Sequence, residues 1–265
     1  MPSESWDLLI QNRLPGSMNM ALDELLLNRD STRPMLRFYQ WDRPTLTLGM
    51  AQRVDQHVCR KTVQDRGIPV IRRLTGGKAV LHDQEITYSI SGPITCRPFC
   101  NNLLDAYQDI AEAFCDGFHR LDIPAHMAPR DTRSSPGAIT SCFANPSAFE
   151  ILVDGKKILG SAQKRTRFHV LQHGSLLLQY TPADWMAVMR RPEGIDSDRV
   201  IDLESLLGSP VSIPRVINAL IDGFKAHFDI DLAPFTLSSQ QLDSAGTIAR
   251  TRYPDLAVRL DSEGE

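Results

Sequence analysis

The chain has 265 residues and a mass of 29.7 kDa, the length of one large domain or of one with a small appendage. Its 29 Lys and Arg against 32 Asp and Glu leave a formal charge of −3, which excludes a strongly basic nucleic-acid coat but not a local basic pocket. No apolar run approaches the roughly 18 residues of a membrane helix. The opening Met1-Pro2-Ser3-Glu4-Ser5 carries no basic flank and no apolar stretch of the secretory kind, so neither a membrane nor a nucleic acid is expected as a partner. The expected location is the cytoplasm, where thiols stay reduced.

Ser5 to Gln11 reads as a short edge strand, and Ser17 as the cap of an amphipathic helix running from Met18 to about Asn28. Alternation over Met35–Gln40 and the run Pro44–Met50 predict two strands. A helix over Val54–Asp65 closes at Gly67, and Val70-Ile71 opens another strand. Glu85–Ser91 alternates, and Leu103–Leu121 is a long amphipathic helix. Residues 129–140 read as a mobile polar loop. Phe149–Val153 and Lys157–Ala162 make a hairpin about Asp154-Gly155. Strand pattern returns over Val170–Tyr180, followed by helices at Pro182–Arg190, Pro214–Phe228 and Leu237–Tyr253. Hairpin turns outnumber crossover helices, which favours an α+β fold with a mixed sheet flanked by helices. The division expected is a catalytic domain over 1–235 and a small C-terminal helical appendage or tail over 236–265.

Two segments carry chemistry. Arg72-Arg73-Leu74-Thr75-Gly76-Gly77-Lys78 sets three cations around a glycine pair whose N–H groups can meet a phosphate or carboxylate, and His82 follows. Lys157-Ile158-Leu159-Gly160-Ser161-Ala162 places small residues inside a strand, where a ligand can lie against the backbone. Strict alternation would put Lys157, Leu159 and Ser161 on one face. His173-Gly174 completes the set. Five cysteines, at 59, 96, 100, 115 and 142, are irregularly spaced and do not make a zinc set, so no metal is expected.

Those three motifs, with the opening Met18-Asn19-Met20-Ala21-Leu22-Asp23-Glu24, occur in the order seen in the biotin/lipoate protein ligase superfamily, which this chain resembles over roughly residues 5–235. The resemblance implies that superfamily's mixed α+β catalytic domain. It also implies a site in which Arg72, Arg73, Thr75, Gly76, Gly77, Lys78, His82, Gly160, Ser161, Ala162, His173 and Gly174 bind substrate. Two activities fit. Octanoyltransferases move an octanoyl group from acyl carrier protein to a lysine of a lipoyl-type acceptor domain and need no cofactor. Lipoate–protein ligases use ATP and Mg²⁺ to form an acyl-adenylate. Ser141-Cys142-Phe143-Ala144-Asn145-Pro146-Ser147 ahead of Lys157 resembles the cysteine-dependent octanoyltransferases, which implies Cys142 as nucleophile and Lys157 as its partner. Lys78, where ligases usually carry a third glycine, leans the same way. A non-catalytic relative that binds a lipoyl domain fits less well, because Lys157, the glycine loop and His173 are all present. Arg73, Lys164 and Arg165 are expected to steer an acidic acceptor domain electrostatically.

Overall fold

The computed structural model describes residues 4–128, 150–190 and 197–259. In chain order the strands and helices begin β1 (Glu4–Leu14), α1 (Gly16–Leu27), β2 (Met35–Trp41), β3 (Thr45–Leu48), α2 (Val54–His57), α3 (Arg60–Asp65), β4 (Val70–Arg72) and β5 (Val80–His82). They continue with β6 (Glu85–Pro93), α4 (Leu103–His119), β7 (His126–Met127), β8 (Ile151–Val153), β9 (Lys156–Arg165), β10 (His169–Leu177) and α5 (Pro182–Val188). The last are α6 (Leu203–Leu207), α7 (Ile213–Phe228), β11 (Ile230–Pro234), α8 (Ser239–Arg252) and α9 (Leu256–Arg259). Among the described residues no helix is long and apolar enough to cross a membrane.

Eight strands form one mixed sheet in the order β11-β1-β2-β6-β10-β9-β8-β7, and β4-β3-β5 form a second. The α+β expectation holds. The expected edge position of the first strand does not: β1 pairs in parallel with β2 on one side and β11 on the other. Strand β11 is only five residues long and follows α7 after one left-handed residue, Asp229, so its pattern merges with the end of that helix. The helix expected over 54–65 is two short ones, parted where Val58 bridges Met189.

Side-chain caps open two of the long helices. Asn102 accepts hydrogen bonds from the backbone of Leu104 and Asp105 to open α4, and Ser238 with Gln241 forms a capping box on α8. Helix α1 is different: Pro15 stands at its N-cap with no side-chain hydrogen bond, and Ser17 lies inside the helix instead of capping it.

Alternation on β6 sorts the large sheet into two faces. Ile86, Tyr88 and Ile90 join Trp6, Phe114 and Phe224 in a core under α4 and α7. Glu85, Thr87 and Ser89 point the other way, toward α1 and the small sheet, and are buried there. Register continues this polar face across the neighbours. Ser89 stands opposite Arg37 on β2 and His173 on β10, and Thr87 opposite Tyr39 and Ser175. Helix α8 packs along α1, and α9 on β4 and α3, so the segment beyond 235 is laid over the same side of the molecule.

Candidate active site

On the polar face, two imidazoles are each held by a carboxylate. Helix α1 is buried on nearly every side, and its Asp23 reaches the sheet. Asp23 Oδ1 accepts from Arg37 Nη1 at 2.7 Å, and Oδ2 accepts from Tyr39 at 3.1 Å and His173 Nδ1 at 2.9 Å. Nε2 of His173 meets Thr75 Oγ1 at 2.7 Å. Thr75 also accepts from Arg73 Nε, so its proton is directed to His173 Nε2. That leaves His173 as the neutral Nδ1–H tautomer. Burial pushes the His173 pKa down, a tendency Asp23 only partly offsets. Burial raises the Asp23 carboxyl, but the hydrogen bond from His173 and the charge of Arg37 outweigh it and hold the group below the usual carboxylate range.

The second pair repeats this plan. His82 Nδ1 lies 2.8 Å from Glu85 Oε1, and its Nε2 2.8 Å from Thr47 Oγ1. Ser175 donates to Glu85 Oε2 at 2.5 Å, Thr87 donates to Oε1, and Trp41 Nε1 donates to Thr87 at 2.7 Å. The Trp41 ring stacks on His82 with centroids 4.0 Å apart. Burial raises Glu85, but His82 and the two hydroxyl donors bring it below its ordinary value. Arg73 joins the pairs, because Nη1 reaches Thr47 Oγ1 at 3.3 Å while Nε holds Thr75.

Arg73 also shapes the glycine loop. Its Nη2 donates to Gly76 O at 2.7 Å and Lys78 O at 2.8 Å, wrapping the loop around the guanidinium. Gly77 turns with φ +89°, and a Cβ on Gly49 would stand 2.0 Å from the Gly77 carbonyl oxygen, so both positions require glycine. Arg72 donates to the carbonyls of Gly49, Met50 and Gln52. The two arginines expected to cradle an anion therefore hold backbone. Arg73 is only 4% exposed and so offers no surface contact to a partner, and Arg165 donates to the carbonyls of Phe99, Asn101 and Asn102.

One cavity collects residues from distant parts of the chain. Arg73, His82, Gly160, Ser161, Ala162, His173 and Gly174 line it, with about 410 Å³ of unfilled space, open mouth included. Met20, Tyr39, Thr47, Val80, Thr87 and Ser175 complete the wall. A Cβ on Gly174 would lie 2.5 Å from both Gly160 O and the Tyr88 ring, so no side chain fits at this point of the wall. The Ser161 hydroxyl is turned to Tyr88 at 2.7 Å, on the α4 side.

Arg72, Thr75, Gly76, Gly77, Lys78 and Lys157 are not in that lining. Thr75 is fully buried behind it. Lys157 departs from the expected alternation. Ile151 pairs with Leu159 but Leu152 with Lys157, so Ile158 is an extra residue, a bulge. Opposed partners share a face, which puts Lys157 with Leu152 and against Leu159 and Ser161. Its Nζ forms a buried ion pair with Glu150. Cys142 lies outside the described residues, as does the polar loop expected over 129–140.

The sequence model of the lipoyl protein ligase A/B catalytic domain matches residues 15–225. This chain belongs to that family. It is 34% identical to octanoyltransferase LipM of Brevibacillus brevis over 94% of this chain and 96% of that protein. It is 36% identical to LipM of Kyrpidia tusciae, over 91% and 94%. Lipoate-protein ligase A bound with ATP superposes with a TM-score of 0.77 at 24% identity, covering 93% of this chain and 95% of that one. A putative lipoate protein ligase from T. acidophilum with bound lipoic acid gives 0.75 at 24%, covering 94% and 98%. The structural likeness establishes the catalytic fold. By sequence the chain is an enzyme that groups with the octanoyltransferases.

Within this family fold, the anchors of the site were the residues missed by sequence reasoning. Asp23 lies 150 positions from His173, and no local spacing joins them. A signal was present all the same: Asp23 and Glu24 are the two charged residues of helix α1, and Glu85, Thr87 and Ser89 recur on one face of a strand. Glu150, the partner of Lys157, had no such signal.

Proposed function

We propose that this chain moves an octanoyl group from acyl carrier protein, through a thioester on Cys142, to a lysine of a lipoyl-type acceptor domain. The Cys142 thiolate attacks the carrier thioester carbon, and the carrier sulfur leaves as a thiolate that takes up the proton Cys142 had released. The acceptor amine then attacks the enzyme thioester, forming the amide and returning the thiol. Lys157 is the cation that favours the thiolate, whose ordinary pKa is about 8.5. Glu150 fixes the Lys157 ammonium in place.

The observation that carries this reading is the cavity where the motif around Gly160 meets His173, Gly174, His82 and Arg73. Its wall suits an alkyl chain for a specific reason. The imidazoles, the carboxylates behind them and the threonines are already bonded to one another, so an apolar tail does not strip them of partners. Each methylene buried there contributes about 0.8 kcal/mol. Met20, Tyr39 and Val80 supply apolar contact, and Gly160 and Ala162 leave room. Commitment of Arg72 and Arg73 to backbone carbonyls weighs against a nucleotide triphosphate site, and this reading requires neither ATP nor Mg²⁺.

The test is intact-mass spectrometry after incubation with octanoyl-carrier protein, without nucleotide. One octanoyl mass is expected on Cys142, and none in Cys142→Ala. A parallel arm supplies free octanoate or lipoate with ATP and Mg²⁺ to an apo acceptor domain. Acceptor modification in that arm alone, with full activity in Cys142→Ala, would replace the transferase by a ligase.

A further inference from the structure

Asp23 and Glu24 are consecutive on α1, and both are buried. They are about 100° apart around the helix axis, so they face different neighbours. Asp23 meets the sheet and holds His173. Glu24 meets the C-terminal segment: one carboxylate oxygen is paired with Arg252, the other accepts from the Tyr253 hydroxyl at 2.6 Å. Two residues on, Asp255 accepts from Val70 N at 2.9 Å, and Gln64 reaches Ala257 O. Val70 begins β4, the strand that runs into Arg72 and Arg73. Residues 252–255 thus tie together the helix that carries Asp23 and the strand that delivers Arg73. Ala245, Ala249 and Tyr253 pack into the same cluster as Met20 of the cavity wall. This segment lies beyond the stretch of chain that the family model matches.

We propose that Tyr253 and Asp255 are positioning residues for acyl transfer: the brace they form sets α1 against β4 and keeps Asp23, His173, Thr75 and Arg73 aligned over the cavity. Tyr253 acts through Glu24, since a helix gripped at residue 24 cannot rotate residue 23 away from the imidazole. Asp255 acts through the backbone of Val70. Neither touches the acyl group.

The experiment uses the full chain. Tyr253→Phe removes one hydrogen bond and keeps the ring. Asp255→Ala removes an acceptor that Asp255→Asn retains. Ser244→Gly loosens α8 by about 0.5 kcal/mol from an exposed position away from the brace and the cavity wall, and serves as the stability control. Two quantities are read: the rate constant for octanoyl loading from the carrier, and the far-downfield proton resonance of His173 Nδ1–H. Tyr253→Phe and Asp255→Ala are expected to slow loading about tenfold at unchanged KM, less than the ~100-fold that a 1 Å misplacement can cost, and to shift the resonance. Asp255→Asn and Ser244→Gly should leave both at the parent value. The brace is overturned if Tyr253→Phe leaves the resonance unmoved, or if Ser244→Gly slows loading as much. The loading arm rests on the octanoyl-carrier reading above, but the resonance does not. If the parent protein takes no octanoyl group, that reading fails and the resonance alone decides the brace.

Discussion

The two faces of the large sheet are made by the same strands and do opposite work. Under α4 and α7 the side chains are aromatic and aliphatic, with Phe114, Phe224, Trp6 and Phe228 in mutual ring contact. Under α1 they include Arg37, Asp23, His173, Glu85, Thr87 and Ser175, just as deeply buried. The apolar face gains stability from area alone and tolerates repacking of similar volume. The polar face gains only if every group finds its partner, because each donor or acceptor left over costs about 1–3 kcal/mol. One face therefore folds the protein, and the other holds a cavity in one shape. Arg37 shows how tightly: fully buried, it donates to Gln11, Asn19 and Asp23 and lies 3.8 Å from the Tyr39 ring centroid.

The largest effect should come from the apolar face. Phe224→Ala is expected to cost about 3–5 kcal/mol in urea unfolding, because the ring is fully enclosed between Phe114 and Trp6. The protein that remains folded should load its acyl group at the parental rate. A loss of rate in that folded fraction would mean that the two faces are coupled through the sheet.

Glu85→Gln should cost less, about 1–3 kcal/mol, yet do more to the site. An amide presents two N–H donors where the carboxylate only accepts, and Ser175, Thr87, Trp41 and His82 all face it. One of them must let go. His82, Thr87 and Ser175 line the cavity, so the affinity for the octanoyl chain should fall with little change in fold by circular dichroism. Unaltered KM for the octanoyl carrier would separate the Glu85 network from acyl binding.

Much of this architecture was legible from local pattern. The long helices α4 and α7 were readable from apolar spacing, and the β8–β9 hairpin from its Asp154-Gly155 turn. Where pattern failed, a distant contact had overridden it. Strand β1 became interior because of five residues more than 200 positions later, and one bulge at Ile158 reversed the face of Lys157. At the site, the small residues Gly160 and Gly174 and the loop 76–77 were visible because their backbones do the work. The carboxylates that hold His82 and His173 were not singled out, although Glu85 is only three residues from His82. A charge inside a half-buried strand reads as a solvent face until something is known to cover it, and here α1 and the small sheet do.

Tyr88 is the polar exception on the apolar side. Its hydroxyl meets Ser161 at 2.7 Å and accepts from Gln172 at 3.0 Å, and burial pushes its pKa up to about 12. Tyr88→Phe should cost about 1 kcal/mol, and more if the stranded Gln172 amide cannot reach other partners. Calorimetry measures this. A neutral result would show that these polar groups are not needed on that face.

The smallest effect is a slope. His173 has its folded pKa lowered from the ordinary 6.5, chiefly by burial. The unfolded chain therefore takes up that proton first as pH falls, so stability rises with pH across this window. The contribution is complete above about pH 6.5 and is lost as pH falls through the folded value. Asp23 and Glu85, also lowered, add a second loss that begins only near their ordinary values of 3.8 and 4.5. Urea midpoints between pH 5 and 8 should fall on the acid side in the parent, and less steeply in His173→Gln, the difference isolating this imidazole from the other histidines. Phe224→Ala should lower every midpoint and leave the His173 step in place, because Phe224 packs on Phe114 and Trp6 and takes no part in the hydrogen bonds that hold His173. If His173→Gln keeps the parental slope, His173 is not the buried neutral base of the polar face, and the chain of hydrogen bonds from Asp23 to Thr75 carries its protons in some other arrangement.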